Sequence, residues 1–164
     1  MRLAVLTAIC LLPLSAVAEP EKGSLAAQMK GLGVKQCMPA VNSLAKFVTE
    51  DLPHGSNVTY DPKLRDKDPV YAVTEINAVD DMKLSFMSFV PLAGNRCATT
   101  YLNAIYRPQS CLSVSRQFSD FHYVGELKTK VALLTKGTIS TYLMPAGEGC
   151  MIFKQEVVPD GNAP

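Results

Sequence analysis

Apolar positions recur along this chain at two different spacings, and the change of spacing divides it. From Ser24, residues Leu25, Met29 and Leu32 fall on one face of a helix. Gly31 and Gly33 hold that helix to two or three turns. A second helical run starts at Pro39, a residue tolerated in a first helical turn, and lines up Val41, Leu44, Ala45 and Val48 before ending near Asp51. Residues 24–50 are expected to form a helical hairpin or one broken helix.

Beyond Gly55 the pattern shortens to strand length. Strands are expected over Tyr71–Val79, Leu84–Val90 and Thr99–Tyr106, with Asp80-Asp81 turning the first two into a hairpin. In the third, Thr100, Leu102, Ala104 and Tyr106 share one face. Pro108 stops it, and Ser110 is placed to cap a short helix that uses Cys111, Val114 and Phe118. Three more strands follow over Val131–Leu134, Ile139–Met144 and Met151–Val158. Lys136-Gly137 separates the first pair, and the loop Pro145–Gly149 separates the second as a bulged hairpin. No internal repeat of fixed period shows.

These connections are too short for parallel βαβ units. The expected fold is α+β: an antiparallel sheet of five to six strands, with N-terminal helices and one short central helix packed on it. A small barrel or sandwich with peripheral helices is the alternative.

The amino terminus changes the picture of where the chain works. Met1-Arg2 is a short positive start, Leu3–Leu14 an apolar run, and Ala16-Val17-Ala18 a small-residue end, together the pattern of a secretory leader. The run falls short of the ~20 residues that span a bilayer. Residues 1–18 are expected to be a signal peptide and 19–164 a single secreted or periplasmic domain, with no stable membrane insertion once the leader, including Cys10, is gone. The whole chain has 16 Lys+Arg against 15 Asp+Glu. Loss of Arg2 balances the two, which gives no general attraction to nucleic acid or to an anionic membrane surface.

Export also assigns the remaining cysteines. Cys37, Cys97, Cys111 and Cys150 form an even set in an oxidising compartment, the pattern of two structural disulfides. Three pairings are open, and the preferred one joins Cys97 to Cys150 and Cys37 to Cys111. No Cys-x-x-Cys supports a redox centre, and no close cysteine pair supports zinc. No metal and no cofactor is expected.

Candidate chemistry is thin. The two histidines are His54, in a Pro-His-Gly turn, and His122, near Asp120 in an aromatic segment. His122 with a nearby carboxylate, Asp120 or Glu148, is the one base that a small hydrolase could use. There is no Gly-x-Ser-x-Gly elbow, no calcium loop order among Asp61, Asp66 and Asp68, and no nucleotide loop at Gly31-Leu32-Gly33. Glu75 stands alone in an apolar strand. Tyr101, Tyr106, Phe121, Tyr123 and Tyr142 are the aromatics that could line a binding face or pack the core. The segments Tyr106–Cys111 and Leu143–Cys150 resemble those of small secreted bacterial proteins, which implies no activity.

The resulting expectation is a non-enzymatic binding protein with a protein partner in the cell envelope, such as an inhibitor, an immunity protein or an accessory protein. Arg107, Tyr142 and Glu148 are its candidate contact residues, around the loop Pro145–Gly149. A small hydrolase and a carrier of a small apolar ligand are the two alternatives.

Overall fold

The structure is a computed structural model and describes residues 23–64, 66–78 and 81–158. Residues 1–18, with the signal peptide expected there, and Asp80 lie outside the described residues. Two helices come first, α1 (Leu25–Gly31) and α2 (Met38–Thr49), followed by four strands, β1 (His54–Thr59), β2 (Val70–Ala78), β3 (Asp81–Leu92) and β4 (Arg96–Arg107). A short helix α3 (Cys111–Ser115) and a 3-10 turn (Arg116–Phe118) lead into β5 (His122–Glu126), β6 (Ala132–Lys136), β7 (Ile139–Ala146) and β8 (Gly149–Val158).

Local chemistry sets the helix ends. The Ser24 hydroxyl accepts from Ala27 N at 3.2 Å and starts α1, and Ser110 does the same for α3 through Ser113 N. At the end of α2, Glu50 and Asp51 both take positive φ, and the Lys83 ammonium donates to the Val48 carbonyl at 2.7 Å. A cation on the last carbonyls of a helix is favoured by their unpaired dipoles.

All eight strands join one antiparallel sheet in the order β1-β2-β3-β4-β8-β7-β6-β5. The expected α+β class with helices on an antiparallel sheet holds, but five to six strands become eight. The two unforeseen strands, β1 and β5, are the two edges of the sheet. Each has one side without a strand partner, so neither needs the apolar alternation that marks the inner strands. Pro145 and Ala146 belong to β7, so the β7–β8 connection is a tight two-residue turn at Gly147-Glu148 rather than a bulged loop. Gly147 has φ +60, the backbone state that lets so short a turn follow the twist of the strands.

The disulfides also correct the preferred pairing. Cys37 is bonded to Cys97 and Cys111 to Cys150. Cys97 and Cys150 each lie one residue inside the start of a strand, β4 and β8, which run antiparallel at the sheet centre. Their ends are therefore far apart, and each cysteine finds a helix start beside it instead.

That pairing exposes a symmetry invisible to periodicity. Each half is a helix followed by a four-strand meander, with a disulfide from the helix start to the second residue of its fourth strand. The two fourth strands pair in the middle. Leu102 and Gln155, each five residues beyond its half's cysteine, stand opposite one another. A local two-fold axis therefore passes between them. It relates the unit ending at Arg107 to the unit beginning at Cys111.

The two units are covered unequally. In the first, α1 and α2 bury Leu25, Met29, Val41, Leu44 and Val48 against Val70, Ile76, Met87 and Phe89, with Tyr101 wholly buried beneath. In the second, only Val114, Leu134, Leu143, Cys150 and Ile152 form a buried cluster. No helix among the described residues is long and apolar enough to cross a membrane.

Candidate functional site

The sheet has a covered face and an open face, and their chemistry is inverted. Strand alternation puts Ser85, Met87 and Phe89 of β3 and Thr99, Tyr101 and Asn103 of β4 under the helices. The sheet's charges lie mostly on that same side: Lys83, Arg107, Lys136, Lys154 and Glu156 all fall on covered-face positions. Glu156 is buried, and its two oxygens accept from the Tyr101 hydroxyl at 2.8 Å and the Thr138 hydroxyl at 2.7 Å. Burial first, then the hydrogen bond and charge of Glu156, push the Tyr101 phenol well above its ordinary value.

The same face carries a polar row across six neighbouring strands: Ser56, Thr74, Ser85, Asn103, Lys154 and Thr141 stand opposite one another in turn. Ser56 and Thr74 share a 2.8 Å hydrogen bond. Ser85 Oγ, Asn103 Oδ1 and Thr141 Oγ1 are buried without a hydrogen bond to the described residues.

The open face is the reverse. Its strand positions include Tyr71 and Val73 of β2, Leu84 and Phe86 of β3, Leu102 and Tyr106 of β4. Phe153 and Val157 of β8 and Tyr142 and Met144 of β7 continue it past the two-fold axis. Tyr71 is 52% exposed, Phe86 42% and Val157 57%. Among the described strand positions of this face, the charged side chains are Glu75 in β2 and Arg96 at the start of β4. A shallow dimple of about 210 Å³ lies between Tyr71, Val73, Phe86, Ser88, Thr100 and Leu102. A second depression, about 540 Å³, takes in Glu75, Asn57, Asn77 and Leu84 beside it. At the far end, Tyr106 lies across Gly149 so closely that any side chain there would collide with it.

The candidate contact residues do not share one surface. Tyr142 stands on the open face, opposite Phe153. Arg107 stands on the helix side, opposite Cys150. Glu148 is exposed in the β7–β8 turn. The four cysteines are all in the two disulfides described above. His122 is exposed on edge strand β5, while the carboxylate of Asp120 is engaged by Lys136, whose ammonium holds it below the usual carboxylate range. Thr100, Leu102, Ala104 and Tyr106, grouped by alternation, do share a face, and it is the open one. Phe121 and Tyr123 stand elsewhere, on the helix side of the second unit.

There they line a groove of about 570 Å³. Its walls are Leu112 and Ser115 of α3, Phe118 and Phe121, and its floor is Ala132, Leu134 and Leu143. Phe118 and Phe121 meet edge to face at 5.2 Å, and Lys136 sits 5.8 Å over the Phe121 ring. Glu126 and Lys130 stand at its β5–β6 end. Among the described residues, no cluster of three His, Cys, Asp or Glu side chains could hold a metal ion.

Comparison with known proteins adds no family: no family model, no curated protein and no solved structure matches this chain.

Proposed function

We propose that this is a non-enzymatic binding protein of the periplasm or extracellular space that docks another protein against its open sheet face. One observation carries the reading: the solvent side of the sheet is aromatic and aliphatic, while most of the sheet's charge is on the helix side. An antiparallel sheet with one face in water ordinarily shows the opposite alternation. Exposed Tyr71, Leu84, Phe86, Tyr106, Met144 and Val157, interrupted by Ser88, Thr100, Ser140 and Gln155, make an apolar surface of the kind that marks an interaction site.

The size fits as well. Strands of five to twelve residues, at ~3.3 Å per residue and ~4.8 Å from strand to strand, present on the order of 1,000 Å². A standard protein interface needs about 800 Å² from each partner. Tyr71, Phe86, Tyr106 and Tyr142 supply the rigid aromatic anchors that dominate interface energies, and the dimple beside Phe86 offers a pocket for one partner side chain. The secretory-leader pattern of residues 1–18 supports an encounter in the cell envelope. Among the expected contact residues, Tyr142 belongs to this surface.

Site-specific photo-crosslinking in the native host tests the reading. A photoreactive residue at Phe86 or Val157 should give the same discrete protein adduct, and one at Lys46, exposed on α2, should not. Phe86→Asp should abolish capture of that partner while the protein remains folded at the working temperature, as read from its circular dichroism. Adducts from Lys46 alone, or full binding by both Phe86→Asp and Val157→Glu, would overturn it.

A further inference from the structure

We infer that the depression around Glu75 is the specificity pocket of the open face, and that the docking protein fills it with an arginine side chain. The inference rests on the open-face reading and adds to it the chemistry of one contact. Strand pairing builds the pocket. Glu75 of β2 stands opposite Gly55 of β1 on one side and Leu84 of β3 on the other. Asn77 lies beyond Glu75 on the same face at one end, and Asn57 beyond Gly55 at the other. Together they bound the depression of about 540 Å³. It borders the dimple beside Phe86 at Val73, which lines both. One segment of a partner can therefore seat a charged and an apolar side chain side by side.

Gly55 makes the room. It does not take a left-handed φ, and a Cβ built there would meet no atom within 4 Å. Neither the backbone nor the packing of the fold asks for glycine at this position, and glycine weakens a strand. A strand glycine of this kind marks a place where another molecule comes close to the backbone.

The lining itself chooses the occupant. Among the residues that bound the depression, Glu75 is the only carboxylate, and none is Lys or Arg. The other ionisable group, His54, turns its Nδ1 to the Leu52 carbonyl at 2.8 Å. Glu75 is exposed and makes no hydrogen bond or ion pair with the described residues. Arg96 stands eight residues along β4 from the row Glu75, Leu84, Ala104, roughly 26 Å away along the strand. The pocket is thus a set of acceptors without a cation. A guanidinium completes it: its planar fork takes the carboxylate through two parallel N–H donors, and its remaining N–H groups reach toward the carboxamide oxygens of Asn57 and Asn77. Its flat face lies over Gly55, and its methylenes lie along Leu84 and Val73. A lysine brings the charge without the fork, and an acidic side chain is repelled.

The probe is N-acetyl-arginine methylamide, titrated at low salt into the intact mature protein and followed by amide NMR. The matching compounds of lysine and citrulline are the controls; citrulline keeps the shape of arginine and removes its charge. The amides of Gly55, Glu75 and Asn77 should shift saturably with the arginine compound at millimolar concentration, more weakly with lysine, and about tenfold more weakly with citrulline. Glu75→Gln should weaken arginine binding about tenfold. Gly55→Val, which fills the open space with a residue suited to strands, should do the same, while Glu126→Gln, at an exposed carboxylate of β5, should bind as the wild type does. In the native host, the adduct from a photoreactive residue at Phe86 should fall about tenfold in Glu75→Gln. Glu75→Arg should abolish it, and Arg→Glu at one position of the captured protein should restore it. The inference alone falls if citrulline binds as tightly as arginine, if the shifts map elsewhere, or if the adduct keeps its full yield in Glu75→Gln and Gly55→Val. No adduct from either Phe86 or Val157 in the wild type would overturn the open-face reading, and this one with it.

Discussion

The two units of this protein share a connectivity and a disulfide position but differ in what lies over the sheet. The first has two helices and a buried cluster of seventeen residues, the second one short helix and a cluster of five. The difference shows that a meander can be completed without being covered, provided its neighbour is. Strand β8 pairs along β4, and Val158 of β8 is buried in the first unit's core. The second unit thus draws stability from the first, and its own thin cover leaves a groove where the first has packed helix.

Core truncation should break this comparison most strongly. Leu44→Ala, in the first unit, should cost in the upper part of the ~2–5 kcal/mol range for such changes, because the Leu44 side chain is wholly buried in the larger core cluster. Leu143→Ala lines the groove, so its neighbours can relax into open space, and about 2 kcal/mol is expected. Urea unfolding of the two variants measures both. Equal costs would mean that the second unit is as tightly packed as the first.

Disulfide removal sharpens the same contrast. Replacing either pair of cysteines by alanine should cost roughly 2–4 kcal/mol. The bonds span 60 and 39 residues, and chain entropy makes the longer one worth only ~0.4 kcal/mol more. Their reach should differ far more than their size. Without Cys111–Cys150, amide exchange should quicken in β5–β7 while β1–β3 stay protected; without Cys37–Cys97, α1, α2 and the sheet should loosen together.

A smaller effect lies at the seam between the units, where Tyr101 of β4 donates to Glu156 of β8. Tyr101→Phe should cost on the order of 1.5–3 kcal/mol at neutral pH, as a buried bond to a charged acceptor does. Because the phenol's value is raised in the fold, its contribution is complete below pH 10, the value of a free tyrosine, and is lost as pH rises beyond that. The wild type should therefore lose stability in alkali more steeply than Tyr101→Phe, as read from melting temperatures above pH 10. Parallel curves would place the alkaline transition elsewhere.

The smallest changes are expected at the surface. Phe86→Asp on the open face gives up a side chain only 42% exposed, so it should lower stability by about 1–2 kcal/mol while removing partner binding. Asp120→Asn breaks an exposed ion pair and should leave the unfolding midpoint at neutral pH unchanged.

How much of this was legible beforehand follows from where each residue sits. The helices were readable because Leu25, Met29, Val41, Leu44 and Val48 repeat at helical spacing. The inner strands were readable from runs such as Leu84–Val90. β1, His-Gly-Ser-Asn-Val-Thr, and β5, His-Tyr-Val-Gly-Glu, were not. Both are edges, β1 has a single large apolar residue, and β5 changes register between Tyr123 and Gly125. The candidate contacts Arg107 and Tyr142 come close to each other in a linear reading of the strand ends, yet side-chain alternation puts them on opposite faces.

The chain alone determined its helices, its six inner strands and the expectation of two disulfides, because periodicity and cysteine count are local or compositional properties. Which alternation of each strand meets the helices was decided only in the tertiary structure. In β4, Thr99, Tyr101 and Asn103 are no more apolar than Thr100, Leu102 and Ala104, so period two marks a strand without choosing its buried side. That choice follows from helices docking on one surface of a sheet assembled from distant segments. It sends charge beneath them and leaves the aromatic side in water. The partners of Cys37 and Cys111 were decided by the same long-range pairing of β4 with β8, which sets their two cysteines at opposite ends of the sheet's central seam.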